Sequence, residues 1–430
     1  MAFTKKDKDT CYFVNKVRLY ETIEQNIYFH KNAGCSRKVY NLLLNDAENH
    51  KKETGKILVG SPASYKKEYP YLKEVDSLAL CNSMLQLKSA YKNYFDGIAS
   101  YPTFKSKKNN KVSFTTNNQI LPNGSETIKV SNRYLTIPKL KTPIRIRGYK
   151  TPPINAVLKH ITISLNGNHF YASLVYEVPN QKEENVSIHS FMESNNNKDV
   201  VIRGVDWKPS GAIFSNGETL STPQNAKKTQ KRIGKAQRKL SKKTYQSKNY
   251  EKQRRKVRTL HQKHNNQMDD FIKKSTKAIT KQCDILVRED VSFKYMKHKK
   301  KGNHFSYGKN MQQSCMGKWF TWYEQQAKKE NHLLLYAPKH FPSTRFCSNC
   351  FEKGILSKRD DLTLKNRVYH CPCCNFTCDR DKNAARNLEL LGYKFLNNEE
   401  MFGYTLYTHE ELIQMRKQQK NQKKKEKQVS

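Results

Sequence analysis

The stretch 346–388 reads FCSNCFEKGILSKRDDLTLKNRVYHCPCCNFTCDRDKNAARNL and carries two Cys-x-x-Cys pairs, Cys347/Cys350 and Cys371/Cys374. The segment between the pairs has the length expected of a zinc ribbon, in which two tight turns each present two thiolates to one tetrahedral ion. Behind the second pair the sequence changes to a helical pattern. We therefore predict one structural zinc ion, held by these four cysteines where a helix begins.

Two disulfides are the alternative interpretation of the same cysteines. The first residues, MAFTKKDKDTCYF, lack the apolar core of a secretory signal, and the eleven cysteines are clustered in this stretch or scattered singly. That usage is typical of a reducing compartment, where disulfides rarely persist. Three neighbours compete for the ligand assignment: Cys373 lies inside the second pair, Cys378 lies outside the spacing, and His370 is a weaker candidate.

The net charge of +42 over 430 residues is the strongest global feature of the chain. Self-repulsion destabilises such a chain unless a polyanion neutralises it, and nucleic acid is the natural partner. An anionic membrane surface is the rival, but no apolar run is long enough to span a bilayer. We expect a nucleic-acid-binding protein of about two or three domains, with no membrane segment.

The N-terminal half begins with alternating apolar residues in 11–30, which predict a strand followed by a turn into a helix. Ser36 is the predicted N-cap, and the helix is predicted to end near Gly55. A second helix is predicted at 80–95, where apolar residues are spaced by three and four.

Strand patterns follow at 100–178, and the clearest is the hairpin ITISLNGNHFYASLVYEV with its turn at Asn166-Gly167. We therefore predict a β-barrel-like module into which the helices at 31–95 are inserted. Phe104 and the lysines beside it have two open interpretations. They form either a surface that stacks on and neutralises nucleic acid, or a solvated loop.

In the C-terminal half, two apolar strands end in carboxylates, VVIRGVD at Asp206 and DILVRED at Glu289. A carboxylate at a strand end of a mixed α/β sheet points into the crevice where ligands bind. A third acid, Asp381, follows the second cysteine pair. Taken singly, the three residues could be a turn former, a surface residue and a helix N-cap.

Together the three carboxylates predict a divalent metal site. They would repel one another unless a cation neutralised them, and magnesium prefers such an oxygen-rich shell. Two magnesium ions can activate water and stabilise the leaving oxygen of a phosphodiester. Asp206, Glu289 and Asp381 are therefore predicted to be magnesium ligands.

The stretch 225–280 is predicted to be a long basic helical segment, with a break near Ser241 and Ser247 that would make it a hairpin. A solvated charged face is the usual interpretation, but the density of lysine and arginine here favours phosphate binding. An amphipathic helix at 318–329 and a buried strand at 333–336 lead into the cysteine-rich stretch.

The motifs VVIRGVDW, DILVREDVS and FPSTRFCSNC, with YHCPCCNFTCDRDKNAARNL, resemble the TnpB family of transposon-encoded RNA-guided nucleases. They are also similar to the compact type V CRISPR effectors and the eukaryotic Fanzor proteins. The resemblance covers most of 199–391 and is looser over 1–198. It implies a RuvC-like, RNase H-type nuclease in which Asp206, Glu289 and Asp381 are the catalytic acids.

Asp379 is a second aspartate close to Asp381, and it is expected to support the ribbon or to cap the helix. The family usually has a glycine soon after its first aspartate, whereas Trp207-Lys208-Pro209 follows Asp206 here. That departure concerns the local hairpin rather than the carboxylate. The resemblance also implies a wedge-like β domain, an inserted helical recognition domain and a bound guide RNA from the transposon end.

The predicted fold is α+β and multidomain: a β-barrel-like N-terminal module with a helical insertion, then a RuvC-like, RNase H-type α/β nuclease domain with an inserted zinc ribbon. The predicted boundaries are a wedge-like β module at 1–30 and 96–178, a helical recognition insertion at 31–95, a linker at 179–198, the nuclease domain at 199–413 with its ribbon at about 343–380, and a basic disordered tail at 414–430.

The predicted function is RNA-guided, magnesium-dependent cleavage of double- or single-stranded DNA, directed by a transposon-derived guide RNA and a short target-adjacent motif. The alternatives are a guided DNA-binding repressor that does not cut, and a compact CRISPR effector. A transposase that joins DNA strands finds no support in the motifs. The expected location is the bacterial cytoplasm, at the nucleoid during action, or the nucleus of a eukaryotic host.

Overall fold

The computed structural model describes residues 10–107, 112–179, 188–194, 199–208, 211–291, 315–363, 366–399, 401–416 and 418. The chain divides into two compact units, Met1–Glu183 and Glu184–Ser430, each with its own apolar core. Of the helices in the described ranges, none is both long and apolar enough to cross a membrane. Most of the predicted tail and much of the predicted linker lie outside the described residues.

An antiparallel sheet of seven strands dominates the first unit. The strands are β1 Thr10–Tyr20, β2 Ser113–Asn117, β3 Lys129–Val130, β4 Tyr134–Thr136, β5 Ile144–Arg147, β6 Val157–Asn166 and β7 His169–Pro179. Their hydrogen-bonded order is β2-β6-β7-β1-β5-β4-β3, so the module predicted as barrel-like is an open sheet in the described strands. The predicted hairpin is confirmed: β6 and β7 are joined at Gly167, whose φ of 64° suits glycine.

Two long helices, α1 Ile23–Thr54 and α3 Ser77–Phe95, pack together in the first unit, and the short α2 Tyr65–Glu68 lies between them in sequence. The prediction that Ser36 is the N-cap of α1 is wrong. Thr22 is the N-cap, in a reciprocal capping box with Gln25, and Ser36 is buried inside the helix.

The upstream start of α1 has a physical cause. Phe29 and Ala33 continue the apolar stripe towards the N-terminus and pack into the core of the sheet. The predicted end of the helix is confirmed, because Gly55 adopts a left-handed conformation at the C-cap with φ 72°.

The second unit is built on a mixed sheet of five strands. These are β8 Ile202–Lys208, β9 Gly211–Phe214, β10 Thr219–Ser221, β11 Ile285–Glu289 and β12 Leu333–Ala337, in the order β10-β9-β8-β11-β12. The strands β8, β11 and β12 run parallel, whereas β9 is antiparallel to both β8 and β10.

The helices of the second unit are α4 Ile188–Ser194, α5 Gln224–Ser241, α6 Lys248–Thr280, α7 Met316–Lys329, α8 Ser348–Glu352 and α9 Arg380–Leu396, with a small hairpin of β13 Val368–His370 and β14 Thr377–Asp379. The predicted break in the basic segment is confirmed, because α6 begins at its N-cap Ser247. The prediction of an irregular linker missed α4, a short helix anchored by the fully buried Phe191.

Gly204 sets the close approach of α9 to β8. A Cβ atom at this position would lie 1.9 Å from the Ala385 carbonyl oxygen and 2.6 Å from the Glu389 nitrogen. Both are backbone atoms, so any side chain at 204 would push the helix away from the strand. The glycine therefore allows the helix that carries Asp381 to lie directly on the strand that carries Asp206.

Candidate active site and metal centre

The structure brings the three predicted carboxylates to one end of the five-stranded sheet. In the parallel pairing of β8 with β11, Val205 lies opposite Arg288, so Asp206 and Glu289 are the next residues on neighbouring strands. Alternation along each strand places these two acids on the face covered by α9. Asp381 lies in the first turn of that helix.

The charges of the three acids act on one another. Burial, followed by the negative charges of Glu289 and Asp381, raises the pKa of Asp206 to about 7. Burial also raises the pKa of Glu289, although a hydrogen bond donated by the Ser343 hydroxyl opposes that shift. The site thus concentrates negative charge that a cation would neutralise.

Asp381 behaves differently because two cations contact it. Burial alone would raise its pKa, but Lys208 and Arg380 outweigh burial and lower it. The Lys208 Nζ atom lies 2.7 Å from Oδ2 of Asp381, and an Arg380 nitrogen lies 3.3 Å from Oδ1. The adjacent acid Asp290 is not part of this group, since it is bound by Arg416.

The prediction that Asp379 caps the helix is confirmed. Its carboxylate oxygen accepts hydrogen bonds of 3.0 Å from the backbone nitrogens of Asp381 and Lys382. Asp379 is also the last residue of β14, so the hairpin of the ribbon runs directly into α9. The alternative in which Asp381 is the N-cap is thereby excluded.

The four cysteines of the two pairs form the second cluster. Their sulfur atoms all lie within 4.8 Å of one another, with 3.6 Å between Cys347 and Cys374 and 3.7 Å between Cys350 and Cys371. A tetrahedron with zinc–sulfur bonds of about 2.3 Å has edges of about 3.8 Å, whereas a disulfide bond is about 2.0 Å long. All four are free thiols, so the cluster could hold zinc, and the disulfide alternative is excluded in this structure.

Two side chains outside the cluster contact its sulfur atoms. The Asn349 amide donates to Cys374 at 3.4 Å and lowers the pKa of that thiol to about 6. The Ser357 hydroxyl lies 3.3 Å from the Cys371 sulfur. Such contacts orient thiolates for metal binding. The competing candidates Cys373, Cys378 and His370 do not belong to the group of converging ligands.

Buried asparagines connect the two clusters. The Asn383 side chain accepts a 3.0 Å hydrogen bond from the backbone of Ser348 and donates to the Phe346 carbonyl. The Asn387 amide donates to the carbonyls of Ser343 and Phe346 at 2.7 and 2.8 Å. The segment that carries the first cysteine pair is therefore fixed to α9.

Sequence reasoning missed several of these residues. Ser343, Asn383 and Asn387 give no signal, because their roles depend on contacts between distant segments. Lys208 could have been found, since it lies two residues after Asp206 on a strand and therefore faces the same side of the sheet. Among the described residues, only the cysteines place three or more metal ligands within 4.8 Å of one another. The three carboxylates are neighbours, but their oxygen atoms do not all lie within 4.8 Å of one another.

Three family models match the chain in sequence. The helix-turn-helix domain of IS605 OrfB matches 14–56, the "probable transposase" model of IS605 OrfB matches 212–300, and the Cas12f1-like TNB domain matches 317–388. In this structure the first match spans most of β1 and the single helix α1. The third contains the four converging cysteines.

Two bacterial proteins are similar over most of their length. The "Putative RNA-guided DNA endonuclease InsQ" of Escherichia coli K12 is 27% identical over 396 residues, covering 88% of this chain and 92% of its own. A "Putative RNA-guided DNA endonuclease" of Streptomyces pristinaespiralis is 27% identical over 392 residues, covering 88% of each chain. Among solved structures, the Cas12f1–sgRNA–target DNA complex superposes with a TM-score of 0.32 at 14% identity, covering 88% of this chain and 99% of that one.

The mixed sheet that carries the three acids and the four-cysteine cluster thus occur in a chain whose sequence matches the IS605 OrfB models and the Cas12f1-like TNB domain. The resemblance predicted from the sequence motifs is thereby confirmed. The chain is similar to the IS605 OrfB proteins and to the two bacterial proteins described above.

Proposed function

We propose that this chain is an RNA-guided DNA endonuclease. The observation that carries the proposal is the meeting of Asp206, Glu289 and Asp381 at one end of a mixed sheet, where burial and the charges of the other two acids raise the pKa of Asp206. The two bacterial relatives that carry the name RNA-guided DNA endonuclease match along nearly the whole chain, which supports the same conclusion.

The second unit is proposed to be a RuvC-like, RNase H-type nuclease domain. Its five-stranded mixed sheet places two acids at the ends of neighbouring strands and the third on a helix packed against them. The first unit is proposed to combine the wedge-like β module with the helical recognition insertion. It would read the short motif beside the DNA target.

Magnesium and zinc are the proposed metals, and each has a suitable set of donors. The three carboxylates are the hard oxygen ligands that magnesium prefers. When bound there, magnesium would activate water and stabilise the leaving oxygen of the phosphodiester. Ser343 holds Glu289 by its hydroxyl, and Asp379 fixes the first turn of α9 that carries Asp381. The four cysteines would hold one structural zinc ion.

Target choice is proposed to lie in a bound RNA rather than in side chains. The helices α5 and α6 carry seven and ten lysine and arginine residues, none of them buried, which suits a phosphate backbone and cannot distinguish bases. A chain that cuts at chosen sites with such a surface must delegate recognition to base pairing. The protein would act in the bacterial cytoplasm, or in the nucleus of a eukaryotic host.

A guide exchange tests the proposed function. RNA that copurifies with the protein is sequenced, and two guides that differ only in their targeting segment are each combined with two plasmids that differ only in target. We expect each guide to direct cutting only of its own plasmid, in the presence of magnesium. The Asp206→Ala variant serves as the control that binds its target without cutting it.

Two outcomes would contradict the proposal. Cutting at one fixed site by RNA-free protein would indicate a self-sufficient nuclease. Guided binding by the unmodified protein without any cutting would favour the guided repressor. All three acids are present and adjacent in this chain, which favours the nuclease.

A further inference from the structure

We propose that Lys208 is the resident counter-cation of the carboxylate cluster. Its ammonium group holds Asp381 in the metal-free protein, and a divalent ion must displace it to bind. Lys208 therefore raises the ion concentration that the site requires. This inference rests on the proposed metal site at Asp206, Glu289 and Asp381, and it assigns a role to a residue that differs from the family pattern.

The geometry places Lys208 inside the cluster. It lies two residues after Asp206 on β8, so both side chains leave the strand on the same face. Its Nζ atom is 2.7 Å from Oδ2 of Asp381, whose side chain is only 8% exposed. The ammonium group thus contacts one of the two carboxylate oxygens of Asp381 that could bind a metal ion.

Two cations contact Asp381, and only one of them is free to leave. The Arg380 side chain is 11% exposed and also donates to the Thr363 carbonyl at 2.9 Å, which fixes its guanidinium group. The Lys208 side chain is 35% exposed, and its flexible stem can swing towards solvent while its backbone stays in the sheet. The displaced group is therefore Lys208.

The exchange follows from electrostatics. A buried carboxylate without a partner is costly, so Lys208 stabilises the cluster when no metal is bound. A divalent ion at Asp381 is repelled by an ammonium group a few ångströms away and must first replace it. Removing the positive charge at 208 should therefore lower the stability of the metal-free protein and raise the affinity of the site for a divalent ion.

The test measures Mn²⁺ binding to the full-length, zinc-loaded, RNA-free chain by the electron paramagnetic resonance signal of free Mn²⁺. We expect Lys208→Met to bind Mn²⁺ about tenfold more tightly than the unmodified protein, because one nearby positive charge is lost. Lys208→Arg keeps the charge and should bind no more tightly than the unmodified protein. The control Lys382→Met removes an equal charge from an exposed neighbour of Asp381 and should leave the affinity unchanged.

A second measurement records thermal unfolding, first without and then with a divalent ion. In buffer without added divalent ions, Lys208→Met should unfold at a lower temperature than the unmodified protein, and Mn²⁺ should raise its unfolding temperature by more. If Lys208→Met does not fold, Lys208→Gln removes the same charge while its amide can still donate to Asp381.

Three results would overturn the inference. Equal Mn²⁺ affinity in the unmodified protein and in Lys208→Met would show that the lysine does not compete. An equal gain in Lys382→Met would reduce the effect to net charge. Mn²⁺ binding that survives Asp381→Asn would instead remove the metal site on which the inference rests, and with it part of the proposed function.

Discussion

The surroundings differ among the three acids, Asp206, Glu289 and Asp381. The effect of substituting each acid on cutting and on DNA binding can be predicted from these surroundings. Burial raises the pKa of both Asp206 and Glu289, and the negative charges of Glu289 and Asp381 add to the shift at Asp206, whereas Asp381 is paired with cations. We expect Asp206→Ala, Glu289→Ala and Asp381→Ala each to abolish cutting and to leave guided DNA binding intact, since we propose that these groups hold metal and do not contact the duplex. Plasmid cleavage and a gel-shift assay on the same samples measure both properties.

The paired substitution at Asp379 separates a helix cap from a metal ligand. Asp379→Ala removes a cap worth about 1 kcal/mol and should slow cutting without abolishing it, because the first turn of α9 loosens. Asp379→Asn preserves the capping oxygen and should cut at nearly the original rate. Asp381→Asn should not cut. If Asp379→Asn proved inactive and Asp381→Asn active, the third ligand would be Asp379.

Among helices and strands, the contact between β8 and α9 is the one most easily tested. Gly204→Ala would place a Cβ atom 1.9 Å from the Ala385 carbonyl oxygen, and we expect it to destabilise the protein by about 1–3 kcal/mol and to slow cutting. Gly234→Ala, in the middle of α5 with no atom near the new methyl group, is the matched control. It should raise stability by about 0.5–1 kcal/mol.

Denaturant unfolding of both variants, with plasmid cleavage on the same preparations, checks this prediction. Equal stability of Gly204→Ala and the unmodified protein would mean that β8 and α9 can separate without cost. A stability loss with full activity would mean that their spacing does not position the acids.

The elements that the sequence predicts well are those whose signal is local. The hairpin turn at Asn166-Gly167 and the break before Ser247 each depend on a few neighbouring residues, and both are confirmed. The N-cap Thr22 was missed because the predicted helix began in the middle of the apolar stripe, which Phe29 and Ala33 continue towards the N-terminus. The short helix α4 was missed because it spans seven residues, of which Ile188 and Phe191 pack against the apolar core.

The residues of the candidate site likewise include some that have a local sequence signal and some that have none. The cysteine spacing predicts a converging cluster, and the structure forms one. The acids could be picked out from strand ends and motif resemblance. Ser343 could not be found, because it reaches Glu289 from a segment far away in sequence, whereas Lys208 and Arg380 each lie within two residues of one of the acids.

At the scale of the whole molecule, removal of the metal is the most informative perturbation. We expect about one equivalent of zinc per chain by elemental analysis. The double variant Cys347→Ser/Cys371→Ser should lose the zinc and most of the cutting, because the hairpin of β13 and β14 ends at Asp379, the cap of the helix that carries Asp381. Cys373→Ser, at an exposed cysteine outside the cluster, should keep both.

Undiminished zinc in the double variant would refute the assignment of these ligands. Full cutting without zinc would show that the ribbon does not hold the helix in place. A chelator titration followed by zinc addition distinguishes the loss of the ion from irreversible unfolding, since the unmodified protein should regain its activity.

The direct passage from β14 into α9 also bears on how chain length can vary among relatives. One residue inserted between Cys374 and Asp381 would have to be taken up by the hairpin, because β14 runs into α9 without a connecting loop, and it would shift the pairing of β13 with β14 or displace the cap Asp379. That interval should therefore have a fixed length. The segment between the two cysteine pairs is held at both ends by the four-cysteine cluster and includes the exposed Ile355 and Leu356. Insertions should therefore accumulate in this segment instead.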